Sequence, residues 1–207
     1  KIRKQQSAYQ PNKNKPQVRI IGGHWRGRKL PVLDKEGLRP STDRVRETLF
    51  NWLTADIYDA RCLDLFAGTG ALGFEALSRG AASITMIEKD FTIAKQLQHC
   101  KELLKCANCD IHHTSAFSWL EKTTEAFDII FLDPPFNQNL LPDTVALIEN
   151  RQLIKQGGYI YIEVESSFTP IQMPSNWSLH REKKAGQVHY SLYRNTKNNI
   201  DAKKHDH

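Results

Sequence analysis

Asp64-Leu65-Phe66-Ala67-Gly68-Thr69-Gly70 closes a short apolar run that begins at Cys62, and the chain after it alternates strand-like and helix-like segments. A helical pattern over Ala71 to Ser78 ends at Gly80, a strand-like run follows over Ile84 to Ile87, and Phe91 to Leu104 is again helical. A strand near Ile111, a short helix near Phe117 to Leu120, the run Phe127 to Leu132, a helix within Leu141 to Ile148 and the run Tyr159 to Val164 continue the alternation. Strands separated by helical crossovers predict an α/β fold, a parallel sheet with helices on both faces. Beyond Trp177 the pattern changes. Ser178 to Lys184 and Val188 to Arg194, joined through Ala185-Gly186-Gln187, predict an antiparallel hairpin along one edge.

Upstream, Lys1 to Gln17 is Lys, Asn, Gln and Pro without hydrophobic period, which predicts a disordered tail. Val18-Arg19-Ile20-Ile21, Gly22-Gly23 and His24 to Pro31 predict two short strands around a Gly-Gly turn. Ser41 and Thr42 offer an N-cap to a helix with Val45, Leu49, Trp52 and Leu53 on one face, and Asp43 suits its first turn. The expected organisation is a basic tail over 1–17, a basic hairpin and helix over 18–54, a catalytic unit over 55–194 and a flexible end over 195–207. A chain of 207 residues, 40% hydrophobic, builds one core with an appendage.

Charge is unevenly placed. Residues 1–46 hold 13 Lys/Arg against 3 Asp/Glu, while the whole chain holds 29 against 23, so the body is mildly acidic. A clustered positive field attracts a polyanion through counterion release, which predicts a nucleic-acid arm. Stretches of about 18 apolar residues are missing, as is an apolar leader in the first 20, so a cytosolic protein is expected. Cys62, Cys100, Cys106 and Cys109 form no regular disulfide framework. Cys106 and Cys109 make a lone C-x-x-C without the second pair a zinc site needs, so no metal is expected.

In an open α/β sheet, ligands bind beyond the carboxyl ends of the strands. The small residues of Phe66 to Gly70 let backbone approach a ligand, and the next helix begins with free N–H groups. Gly68, Gly70 and Gly73 satisfy G-x-G-x-x-G, which leaves a dinucleotide enzyme open. Asp64 shifts the balance, because a carboxylate there can accept from the ammonium of an amino-acid-bearing cofactor. Glu88, 18 residues after Gly70, ends the second strand, where a carboxylate can take both hydroxyls of a ribose. Ser115-Ala116 follows the third strand and can meet an adenine ring. In Asp133-Pro134-Pro135-Phe136 two prolines fix the backbone and remove two donors, leaving the Asp133 carboxylate and Pro134 carbonyl as acceptors for an exocyclic amine. Accepting both N–H bonds favours a pyramidal nitrogen whose lone pair attacks a sulfonium methyl, with Phe136 stacked on the base. The two loops together point to methyl transfer onto a nucleobase.

Asp64 to Gly70, Glu88 and Asp133 to Phe136 resemble the motifs of S-adenosylmethionine-dependent methyltransferases. Arg19 to Gly23, Trp25 to Arg28 and Arg39 to Leu53 narrow this, since they resemble the bacterial 16S ribosomal RNA (guanine(966)-N(2))-methyltransferase family over about residues 18 to 194. The resemblance implies a Rossmann-like class I methyltransferase, with a seven-stranded mostly parallel sheet, an antiparallel C-terminal hairpin and an N-terminal β-hairpin extension. It implies methyl transfer from S-adenosylmethionine to guanine N2 in small-subunit rRNA, by a monomer acting on subunits or a late assembly intermediate. Thr42, Arg46, Thr69 and Lys89 are implied at the cofactor with the residues above. Arg19, His24, Arg26, Arg28, Lys29, Arg39 and Arg44 are candidates for RNA contacts. Family members often carry an acidic residue where this chain has Ser115, and Thr where it has Ser41. An adenine-N6 methyltransferase acting on DNA or RNA stays open, since the Asp133 loop recognises an amine and not its ring. So does a non-catalytic ribosome-assembly factor with a vestigial cofactor site.

Replacing Arg26 and Arg28 together by Ala should weaken small-subunit rRNA binding and flatten the slope of log affinity against log salt by about 1 to 2. A filter-binding titration over several salt concentrations checks this; an unchanged slope would remove the hairpin from the RNA interface.

Overall fold

The structure, a computed structural model, describes residues 15–136, 139–167 and 170–196; most of the expected tails over 1–17 and 195–207 lies outside it, but Gln17 already opens the first strand and Asn195, buried, ends the last. β1 (Gln17–Arg19) pairs antiparallel with β2 (Lys29–Pro31), and α1 (Asp43–Trp52) follows. The body runs β3 (Arg61–Asp64), α2 (Ala71–Ser78), β4 (Ser83–Glu88), α3 (Phe91–Leu104), β5 (Cys109–His113) and α4 (Ala116–Leu120). It continues through β6 (Phe127–Leu132), α5 (Leu141–Asn150), β7 (Ile154–Glu165), β8 (Trp177–Ala185) and β9 (Val188–Asn195). Among the described residues the body strands form one seven-stranded sheet, ordered β5-β4-β3-β6-β7-β9-β8. β5 through β7 pair in parallel, and β9 enters antiparallel between β7 and the edge strand β8.

Both faces of the sheet are covered. Ile129, Phe131, Tyr159 and Tyr161 point into a core shared with α1, α2 and α3, whereas Ile130, Leu132, Ile160 and Ile162 pack against α4 and α5. That period of two across continuously apolar strands is what a doubly covered parallel sheet requires. Thr42 caps α1 by accepting from the Val45 N–H at 3.3 Å, and Val45, Leu49, Phe50 and Leu53 bury in the first core. Trp52 is half-buried and stacks on Tyr190 at 5.4 Å.

Gly22 and Gly23 do not make the tight turn that the sequence predicts between β1 and β2. The connection spans 20–28, closed by Ile20 N–H to the Arg28 carbonyl at 2.8 Å and Gly27 N–H to the Ile20 carbonyl at 2.8 Å. The glycines lie instead against the C-terminal end of α2. A Cβ on Gly23, at φ +77°, would fall 1.9 Å from the Ser78 carbonyl oxygen. Ser78 Oγ donates to the Gly22 carbonyl at 2.6 Å and accepts from Trp25 N–H at 2.9 Å. Only backbone without side chains comes this close. β7 starts earlier than its apolar run, with a register shift opposite Phe127 to Ile129; a Cβ on Gly158 there would sit 2.8 Å from the Asp128 carbonyl oxygen.

The N-terminal segment is fastened by Glu75 of α2, which has no exposed surface. Its Oε2 accepts from Ile21 N–H at 2.9 Å and Arg46 at 3.2 Å, and its Oε1 from Gly22 N–H and Arg79 Nε, both at 2.9 Å. Arg46, equally buried, also donates to the Arg19 and Ser41 carbonyls and to Asp43 Oδ1 at 2.7 Å. Removing one member of such a network strands the others without water. Glu75→Ala should therefore lower the unfolding free energy by about 3–5 kcal/mol in urea titration. A loss under about 1 kcal/mol would mean that the network does not hold the N-terminal segment.

Candidate active site

β3 lies between β4 and β6, so the chain leaves it towards β5 on one side and returns on the other through β6 and β7. At that reversal neighbouring loops diverge and leave a crevice. Asp64 at the end of β3 is opposite Phe131 of β6, which puts Asp133 just beyond it on the adjoining strand.

The loop after β3 is wound tightly. Ala67 N–H reaches the Ile87 carbonyl at 3.0 Å, and Gly70 N–H returns to the Ala67 carbonyl at 2.8 Å. Thr69, buried, accepts from Ala71 N–H, and Phe66 is half-buried against the α4 and α5 core. Gly70 sits at φ +78°, where a Cβ would meet Phe74 and Leu97 at 2.6 and 2.7 Å. Glu88 Oε2 accepts from Gly68 N–H at 3.0 Å and Oε1 from Asp90 N–H at 2.8 Å, so this carboxylate fixes the same loop from β4. Lys89 is exposed.

Asp64 is enclosed, and neither of its oxygens has a hydrogen-bond partner among the described residues. Burial pushes its carboxyl up to about 7; the Gly73 and Phe66 N–H groups, near but outside bonding geometry, oppose this, and Glu88 adds to it. An orphaned carboxylate below a glycine loop is suited to an ammonium group, so the residues present fit S-adenosylmethionine.

A second set of carboxylates gathers around Asp133. Glu163 of β7, buried, accepts from Ser41 Oγ and from Tyr161 OH, each at 2.9 Å and each on Oε2. Asp133, partly exposed but deep among protein atoms, is pushed well above the usual carboxylate range by burial, then by Glu163 and Asp64, with the Ser41 hydroxyl opposing. Burial likewise raises Glu163. Pro134, Phe136, Leu140, Glu163, Glu165 and Ile171 line a cavity of about 400 Å³ alongside. The sequence reading names neither Glu163 nor Tyr161. The available signal is a charged residue inside a strand whose two faces are both apolar.

The remaining expected residues have these surroundings. Arg46, implied at the cofactor, is closed into the Glu75 network. Thr42 is exposed and caps α1. Ser115 caps α4 through Ser118 N–H at 3.1 Å, with Ala116 buried behind it. Arg19, His24, Arg26, Arg28, Lys29, Arg39 and Arg44 are all exposed, although Arg19 pairs with Asp43 and Arg28 donates to the Leu103 carbonyl.

A sheet of this order, its last-made strand inserted antiparallel beside the edge, is the class I methyltransferase fold, and the chain is an S-adenosylmethionine-dependent methyltransferase with a two-stranded N-terminal extension. Residues 18–194 match the family described as conserved hypothetical protein 95, and the chain belongs to that family. It is 53% identical over 177 residues to ribosomal RNA small subunit methyltransferase D of Escherichia coli K12, covering 86% of this chain and 89% of that one. The Haemophilus influenzae protein of the same name is 48% identical over 185 residues, covering 87% and 95%. The structure of the putative methyltransferase yhhF from E. coli superposes with a TM-score of 0.82 at 50% identity, covering 87% of this chain and 99% of that one.

A carboxyl whose folded value lies above its unfolded 3.8 holds a proton that the unfolded chain has lost, so between about 4 and 7 rising pH destabilises the folded state. Asp64→Asn removes this term. The melting temperature of Asp64→Asn should exceed that of wild type at pH 8, and the gap should close towards pH 4. A pH-independent difference would contradict the enclosed, raised carboxyl.

Proposed function

We propose that the protein methylates the exocyclic N2 of one guanine in 16S rRNA, the position numbered 966 in the family it resembles, on small subunits or a late assembly intermediate in the cytoplasm. The observation that carries this reading is the adjacency, at the sheet's reversal point, of the glycine loop and of Asp133 to Phe136 beside an open cavity. The relatives named for small-subunit rRNA methylation supply the substrate class.

S-adenosylmethionine supplies an electrophilic methyl on sulfonium, and Asp64, Phe66 to Gly70, Glu88 and the Ser115-Ala116 segment are the residues to hold it. The target nucleotide must leave its stack to enter the cavity, at a cost of a few kcal/mol that an unpaired loop nucleotide largely avoids. Phe136 stacks on the base. The Asp133 carboxylate and the Pro134 carbonyl accept the two N–H bonds of N2 and aim its lone pair at the methyl. Donation from the base favours the charged form of Asp133 and offsets its burial. As the new C–N bond forms, the S–CH3 bond of the sulfonium would break to leave a neutral thioether, and N2 must release one proton, for which Asp133, already accepting one of its N–H bonds, has the raised proton affinity. The exposed basic residues from Arg19 to Arg44 contact phosphates, and Arg46 acts through its hold on Ser41 and α1.

Asp133→Ala should reduce methyl transfer to small subunits at least about 1,000-fold, while S-adenosylmethionine affinity stays within a few-fold by calorimetry. Parallel loss of both would make Asp133 part of the fold rather than of the reaction.

A further inference from the structure

Glu163 is an ionisable group that the proposed transfer does not use. Its Oε2 is held by the Ser41 and Tyr161 hydroxyls, while Oε1 has no hydrogen-bond partner among the described residues. The residue is 6% exposed and lines the same cavity as Pro134 and Phe136, the residues proposed to hold the base. A carboxylate oxygen in such a place is an acceptor in search of a donor. Tyr161 and Ser41 prevent the group from turning away, because both donate to its other oxygen.

The purines differ at the edge that this acceptor meets. Guanine carries a hydrogen on N1 beside its N2 amine, so two adjacent acceptors match two adjacent donors. Adenine and 2,6-diaminopurine present an unprotonated N1, whose lone pair faces a carboxylate without a bond and with repulsion. We propose that Glu163 is the residue that selects guanine, its Oε1 accepting the N1–H while Asp133 and Pro134 receive the amine. This rests on the guanine-N2 reading above. It also gives the N-terminal segment a part in base choice, since Ser41 stands just before α1. A buried acceptor that is left unpaired by the wrong base discriminates far more strongly than a change in pocket size.

The experiment uses the full-length protein and small subunits reconstituted on 16S rRNA carrying either guanine or 2,6-diaminopurine at the target position. Both bases have the N2 amine, so both are chemically competent. Wild type should prefer guanine by about 100-fold or more in kcat/KM. Glu163→Gln, which can turn an amide N–H towards N1, should narrow that ratio at least tenfold, with S-adenosylmethionine affinity retained within a few-fold. Equal slowing on both substrates with an unchanged ratio would overturn the proposal and make Glu163 a support for Asp133. Loss of S-adenosylmethionine binding along with both rates would overturn it in favour of a purely structural role. Absence of N2-methylguanosine from wild type acting on the guanine subunits would instead contradict the reading on which the proposal rests.

Discussion

Glu75 sets the relation between the two halves of this molecule. It stands on α2, the helix that begins at the glycine loop, and its four hydrogen bonds go to backbone of the N-terminal extension, to Arg46 of α1 and to Arg79. A carboxylate with no exposure is tolerable only when donors surround it, so the extension and the catalytic sheet fold as mutually dependent parts. The consequence reaches the reaction site. Arg46 binds the carbonyl of Ser41, and the Ser41 hydroxyl touches Glu163, so the strap that carries the basic residues also braces the cavity beside Asp133.

Three carboxylates, Asp64, Asp133 and Glu163, sit close together where the sheet reverses, and each is raised by burial. Left to itself such a cluster opposes folding, because every added negative charge disfavours the next. In the proposed reading, cationic and hydrogen-donating partners offset this cost, an ammonium over Asp64 and the N–H groups of a guanine at Asp133 and Glu163. Binding then restores charge that folding suppresses, which ties affinity to protonation.

Much of the fold was legible because local signals and tertiary demands agree. α2, α3 and β6 match their sequence-derived limits: Gly80 follows the first helix, Asp90 caps the second by accepting from Thr92 and Ile93 N–H, and β6 is an uninterrupted apolar run up to Asp133. The failures have physical causes. Gly22-Gly23 carries a turn signal, but its glycines serve a close backbone approach to Ser78, which only the tertiary structure reveals. The start of β7 hides behind Lys155 to Gly158, a polar, glycine-bearing stretch that forms an irregular pairing with Phe127 to Ile129. At the candidate site, the glycine and proline loops announce themselves in the sequence, and the structure sets them side by side where the sheet reverses. Glu163 has no such local signal, because what holds it in place comes from far away in the chain, Ser41 above all.

The central claim is the identity of the methylated atom. The most direct measurement incubates the protein with methyl-labelled S-adenosylmethionine and, separately, assembled small subunits, naked 16S rRNA and duplex DNA, then digests each to nucleosides and separates the label. The account predicts N2-methylguanosine from a single position, strongest with subunits. Label in N6-methyladenine, or no label from a protein that binds both cofactor and RNA, would contradict it.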